Sequence, residues 1–151
     1  MGNVAGIAPA ARPGVGRPDL ATGILEIDRQ HAELIANVSR LREAARTGDV
    51  GLAEGVLLYL ERYAAEHFAT EERAMWESGF AGLDDHWSLH LAFATELAER
   101  KAEHTRNPGT FRLLVEMSHW MDRWLEQHVL GADSEMARFL RERGHPAAAY
   151  Q

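Results

Sequence analysis

The chain has 151 residues, enough for one domain with a real core and too few for two ordinary ones. Its 16 basic residues are scattered among 23 acidic ones for a net charge of −7, which argues against nucleic acid or an anionic membrane surface as partner. Cysteine is absent, which excludes disulfides, thiolate zinc sites, iron–sulfur clusters and a cysteine nucleophile.

Residues 1–19 are rich in Gly, Ala and Pro and hold no aromatic or large apolar cluster, so they read as a flexible arm. Helical spacing begins next. His31, Leu34, Ile35, Val38, Leu41 and Ala45 share one face of a first helix expected from about Asp28 to Arg46, before Gly48. Asp49 can cap a second helix whose inward stripe runs from Ala53, Val56, Leu57 and Leu60 through Tyr63, Ala64, His67, Phe68 and Glu71 to Met75, stopping at Gly79.

A third helix opens at Asp84 and carries His86, Leu89, His90, Phe93 and Leu97 inward as far as about His104. Residues 105–109 form a turn by composition. Thr110 then caps a fourth helix with Leu114, Met117, Ser118, Met121, Trp124, Leu125 and His128 along one side. A short helix from about Asp133 to Arg143 precedes Gly144 and Pro146. No sustained period-two alternation suggests a strand. The expected fold is therefore all-α: an antiparallel up-and-down four-helix bundle over residues 20–144, with a short C-terminal helix and a tail at 145–151. No run of about 18 apolar residues predicts membrane insertion, and no secretory pattern is evident, so a cytoplasmic protein is expected.

Seven side chains on the apolar faces invite a metal reading: His31, His67, Glu71, His86, His90, His128 and Asp133. Ionisable groups are scarce on such faces unless paired or ligating. Positions i and i+4 of a helix are rotated by only about 40° and stand about 6 Å apart along the axis, so His67/Glu71 and His86/His90 can each converge on one ion. His128 and Asp133 do not fit, because five residues advance about 140°. A helix end or bulge at Leu130 to Ala132, around Gly131, is expected to return the aspartate inward. Each pair alone is a weak motif. In an antiparallel bundle with short turns, however, all the pairs reach similar depth. His104, His119 and His145 lie outside the pattern and read as surface or hydrogen-bonded residues, and Glu72 reads as solvated. Asp28 reads as a helix cap or an outer partner of a ligand.

The Asp28-Arg-Gln-His31 segment, residues 63–72 with His67, Phe68, Glu71 and Glu72, the His86-Trp-Ser-Leu-His90 run, and Trp124-Leu-Glu-Gln-His128 with Asp133 together resemble hemerythrin, specifically the bacterial hemerythrins, across about residues 24–140. The resemblance implies two iron ions. His86, His90 and His128 would hold one, His31 and His67 the other, with Glu71, Asp133 and a solvent-derived oxo or hydroxo bridge between them. It also implies an open position on the second iron for dioxygen. Leu34, Phe68, Trp124, Leu125 and Val129 flank these ligands and are the candidate oxygen-pocket wall. Bacterial members often carry an aromatic residue before the first histidine, and none occurs here before Tyr59.

The expected function is reversible dioxygen binding for storage, transport or delivery, without enzymatic turnover, with an oxygen-consuming protein as a candidate recipient. A sensor of oxygen, nitric oxide or redox state, a di-iron oxidase or peroxidase, and a structural zinc bundle are the alternatives. Ferritin-like enzymes use a Glu-x-x-His pair from each of two helices, whereas this donor set is histidine-rich.

Overall fold

The computed structural model describes residues 18–145. The flexible arm expected at residues 1–19 lies outside the described residues as far as 17, and the tail from 146 onward does as well. Four long helices dominate: α1 (Leu25–Thr47), α2 (Val50–Ser78), α3 (Leu83–Arg106) and α4 (Phe111–Trp124). The last continues through a π-helical segment, Leu125–Asp133, into α5 (Ser134–Glu142). Among the described residues there is no strand, and no helix is long and apolar enough to cross a membrane.

Very short connections force the helices antiparallel. Gly48 ends α1 at φ +70° and Gly79 ends α2 at φ +68°, each donating its N–H back to the final turn, which is the left-handed stop that glycine makes without strain. Asp49 starts α2 by accepting the Leu52 N–H at 2.9 Å. Thr110 makes no such bond to α4, contrary to expectation: its hydroxyl donates instead to the Asn107 carbonyl at 2.9 Å.

The first helix begins earlier than periodicity alone indicated. Pro18–Leu20 forms a 3-10 turn, and Leu20 is buried in the core. Asp28 ties the chain that follows. Its carboxylate accepts the Thr22 N–H and hydroxyl, each at 2.7 Å, and the Gly23 N–H at 3.1 Å. This acid therefore braces the turn before α1 and neither caps the helix nor touches a histidine.

Two apolar clusters fill the bundle. The larger gathers Leu34, Val38 and Leu41 of α1 with Leu57, Leu60, Tyr63 and Phe68 of α2, Phe93 and Leu97 of α3, and Leu114, Met117, Met121, Leu125 and Val129 of the fourth rod. The smaller joins Ile24, Ile27, Ala74, Met75, Met136, Ala137 and Leu140. Between Ile27 and Leu34 on α1, and between Phe68 and Met75 on α2, lies a layer of buried polar residues. Leu89 is a correction: it is 45% exposed. The buried strip of α3 is narrow, running through His86, His90, Phe93 and Leu97, and Leu89 stands about 70° from its middle. Of the two readings expected for His104 the structure shows the hydrogen-bonded one: it is buried at the far end of α3, with Nδ1 accepting the Gly109 N–H at 3.5 Å.

Candidate metal centre

All seven expected side chains meet in that polar layer, each no more than 3% exposed. On α2 and α3 the i, i+4 spacing does this directly, aligning His67 with Glu71 and His86 with His90. His31 enters from the second turn of α1.

Asp133 arrives by the second of the two expected routes, a bulge, in the form of a π-helix longer than expected. The backbone does not end near Gly131. It stays right-handed from Trp124 (φ −59°, ψ −48°) to Ser134 (φ −65°, ψ −37°) while following a π-helix over Leu125–Asp133. Bonds from i to i+5 bring residues five apart onto one side. His128 and Asp133 therefore stack, with Nε2 and Oδ1 2.9 Å apart.

The two carboxylates divide their oxygens between two histidine groups. Asp133 Oδ2 faces His31 Nε2 at 3.0 Å and His67 Nε2 at 3.9 Å, and Glu71 Oε1 faces His67 Nε2 at 3.1 Å. Their other oxygens face the second group. Glu71 Oε2 lies 3.1 Å from His90 Nε2 and 3.4 Å from His86 Nε2, and Asp133 Oδ1 lies 3.2 Å from His86 Nε2. Two overlapping ligand sets result, one with His31 and His67 and one with His86, His90 and His128, sharing Glu71 and Asp133.

These atoms fit metal ions better than they fit one another. Ligand atoms about 2.1 Å from one ion and at right angles stand about 3.0 Å apart, close to the separations seen. His90 and His128 even point Nε2 at Nε2 across 3.2 Å. His67 Nε2, His86 Nε2, both Glu71 oxygens and Asp133 Oδ1 are buried without a hydrogen-bond partner. Native interiors seldom leave so many polar atoms unmatched in one place. Imidazole with hard carboxylate oxygen suits iron, among other first-row metals.

The electrostatics of the layer point the same way. Burial disfavours charge on His67 and His86, but Glu71 and Asp133 overcome it and raise both to about 9. Burial also works against the carboxylates, yet the surrounding histidines hold Glu71 below its usual range and Asp133 well below. Burial lowers His128. Four negative-side oxygens thus attract positive charge into a closed layer, and protons supply it when no metal does.

Two neighbours of the ligands were missed in the sequence. Gln30 Oε1 accepts the His67 Nδ1–H at 2.6 Å, and Glu72 Oε1 accepts the His90 Nδ1–H at 2.8 Å. Each bond fixes the tautomer that leaves Nε2 bare toward the centre. Glu72, expected to be solvated, is instead only 31% exposed. Its position one residue after Glu71 turns it toward α3, a direction visible only once α3 is known to lie there.

The five candidate wall residues belong to the larger apolar cluster, Trp124 at its partly exposed margin. Phe68 lies flat on His90, with centroids 3.8 Å apart and planes within 5°, and Trp124 lies flat on His128 at 3.9 Å and 12°. Both cover the three-histidine group. Over the two-histidine group the corresponding ring is Tyr63, stacked on His67 at 4.6 Å and 16°.

A family model for the hemerythrin HHE cation binding domain matches residues 22–140. The chain is 27% identical over 120 residues to a bacteriohemerythrin of Pseudomonas aeruginosa (strain LESB58), covering 80% of this chain and 76% of that protein. A bacteriohemerythrin of Stenotrophomonas maltophilia (strain R551-3) is 28% identical over 123 residues, covering 82% and 78%. Hemerythrin subunit 1 of Golfingia vulgaris is 26% identical over 125 residues, covering 83% and 91%. The chain belongs to the hemerythrin family.

Proposed function

We propose that this member of the family holds two iron ions and binds dioxygen reversibly between them and the apolar wall, as a store, carrier or local source of oxygen and not as an enzyme. The observation that carries this reading is the unequal division of histidines around two shared carboxylates. With one further oxygen bridge, three imidazoles would fill six positions on one ion, whereas two imidazoles would leave the other a position short. A pair of ferrous ions supplies the two electrons that dioxygen takes up on binding and gives back on release.

The protein's own residues do the rest. Gln30 and Glu72 orient His67 and His90 from behind, so that Nε2 faces inward without reorganisation. Leu34, Leu125 and Val129, all buried, exclude water and anions from the layer and so hinder the displacement of bound oxygen that would leave the irons oxidised. The preponderance of neutral imidazole over anionic carboxylate leaves the centre less electron-rich than a ferritin-like one and so favours release over further oxidation chemistry.

The test is optical. Reduced, iron-loaded protein exposed to air should develop a charge-transfer band that disappears under vacuum and returns with air. A band that does not reverse, or steady consumption of peroxide without one, contradicts the carrier reading and favours an enzyme.

A further inference from the structure

Beside the metal layer, the larger apolar cluster holds two polar atoms with nothing to bond. Tyr63 Oη and Trp124 Nε1 are both shielded from solvent and have no hydrogen-bond partner. Leaving a donor unmatched in a core costs free energy that a phenylalanine at the same position would avoid.

Tyr63, 4% exposed, sits one helical turn before His67 and stacks on its ring. It accompanies the two-histidine group, while the flat contacts of Phe68 and Trp124 fall on His90 and His128. A phenol holds its proton at neutral pH and so has an O–H to donate. A recess of about 200 Å³ has both Tyr63 and His67 in its wall, along with Gln30, Tyr59 and Arg62. Tyr63 and His67 thus share the wall of an open recess while the Tyr63 hydroxyl itself stays inside the closed core.

Resting on the two-ion reading above, we infer that Tyr63 is the hydrogen-bond donor to the outer atom of a small ligand held on the two-histidine side. The residue thereby selects by the far end of the ligand. Dioxygen, nitric oxide and azide present a lone pair there that a fixed O–H can meet, and in a dry, low-dielectric layer such a bond is stronger than in water. Carbon monoxide is a weak acceptor and gains little.

Azide binding to the oxidised, iron-loaded full chain tests this directly. Tyr63→Phe keeps the ring and its stack on His67, so iron content should be unchanged while the azide dissociation constant rises about tenfold, the value of one ordinary hydrogen bond. The bound azide stretch should shift on transfer to heavy water in the wild-type chain and not in the variant. Unchanged affinity with the same stretch in both overturns the inference. So does a lower melting temperature with unchanged affinity, which would make the hydroxyl a partner of a buried water only. A wild-type chain that takes up two irons and binds no azide likewise overturns it, whereas a chain that takes up no iron pair defeats the two-ion reading itself.

Discussion

Glu72 accepts a hydrogen bond from the Nδ1–H of His90 at 2.8 Å, placing a partly exposed carboxylate behind a buried imidazole whose other nitrogen faces Glu71 and His128. A carboxylate in that position makes the imidazole a stronger donor to a cation. Glu72→Gln should therefore weaken metal binding by about 10- to 100-fold, the range typical of such outer partners. Competition with a chelator of known affinity checks this. An unchanged affinity would reduce Glu72 to a surface acid.

Gly131 lies inside a continuous right-handed rod, among the described residues it is not one of the glycines with positive φ, and a Cβ there meets nothing within 4 Å. Gly131→Ala should accordingly stabilise the protein by about 0.4–1 kcal/mol, because it restricts the unfolded chain without strain in the folded one. Thermal unfolding reads the sign. Destabilisation would mean that a glycine-specific bulge, and not the π-helix, sets Asp133.

Metal-free protein should show a definite pH dependence. His67 and His86, raised to about 9 from an ordinary 6.5, stabilise the fold fully below pH 6.5 and cease to do so as pH rises through 9. Glu71 and Asp133 are lowered, so their contribution is present above their ordinary values of 4.5 and 3.8 and is lost as pH falls. His128, lowered by burial, also opposes acid below pH 6.5. Melting temperature without metal should thus decline between pH 6.5 and 9, and metal, by replacing the histidine protons, should flatten that decline. A metal-free profile that is level or rises in this window contradicts the charge balance assigned to the layer.

Leu125, 5% exposed, belongs to the larger cluster and precedes His128 by three residues. Leu125→Ala should cost about 2–5 kcal/mol of stability, as buried leucine truncations do, and should shorten the life of the oxygenated state by admitting water. Spectral decay in air measures the second effect. A lifetime equal to that of the wild-type chain, at equal iron content, would remove Leu125 from the pocket wall.

How much of this was legible in the chain depends on whether the governing contact is local. The i, i+4 pairs of α2 and α3 and the stops at Gly48 and Gly79 are properties of single helices, and periodicity reveals them. Asp133 was placed among the candidates and a bulge was expected before it, but its form and length were not legible. A five-residue step misfits an α-helix, and the π-helix that absorbs it leaves no compositional mark other than its continuation into the Met136–Leu140 stripe. Gln30, Glu72 and the stacking of Tyr63 on His67 were hidden for a different reason. Each depends on which helix or ring lies alongside, and Glu72 differs from a solvated acid only because α3 passes its flank. Leu89 shows the converse error, an apolar residue placed inward because the width of the buried strip is set by neighbours and not by sequence.

The central claim is that the layer holds two irons in unequal surroundings, three imidazoles on one and two on the other. Mössbauer spectra of the reduced chain loaded with iron-57 address it most directly. Two irons per chain giving two high-spin ferrous doublets of equal area, one of which alone changes when azide or nitric oxide is added, is the expected result. One iron per chain, or two irons that respond identically, would contradict the account.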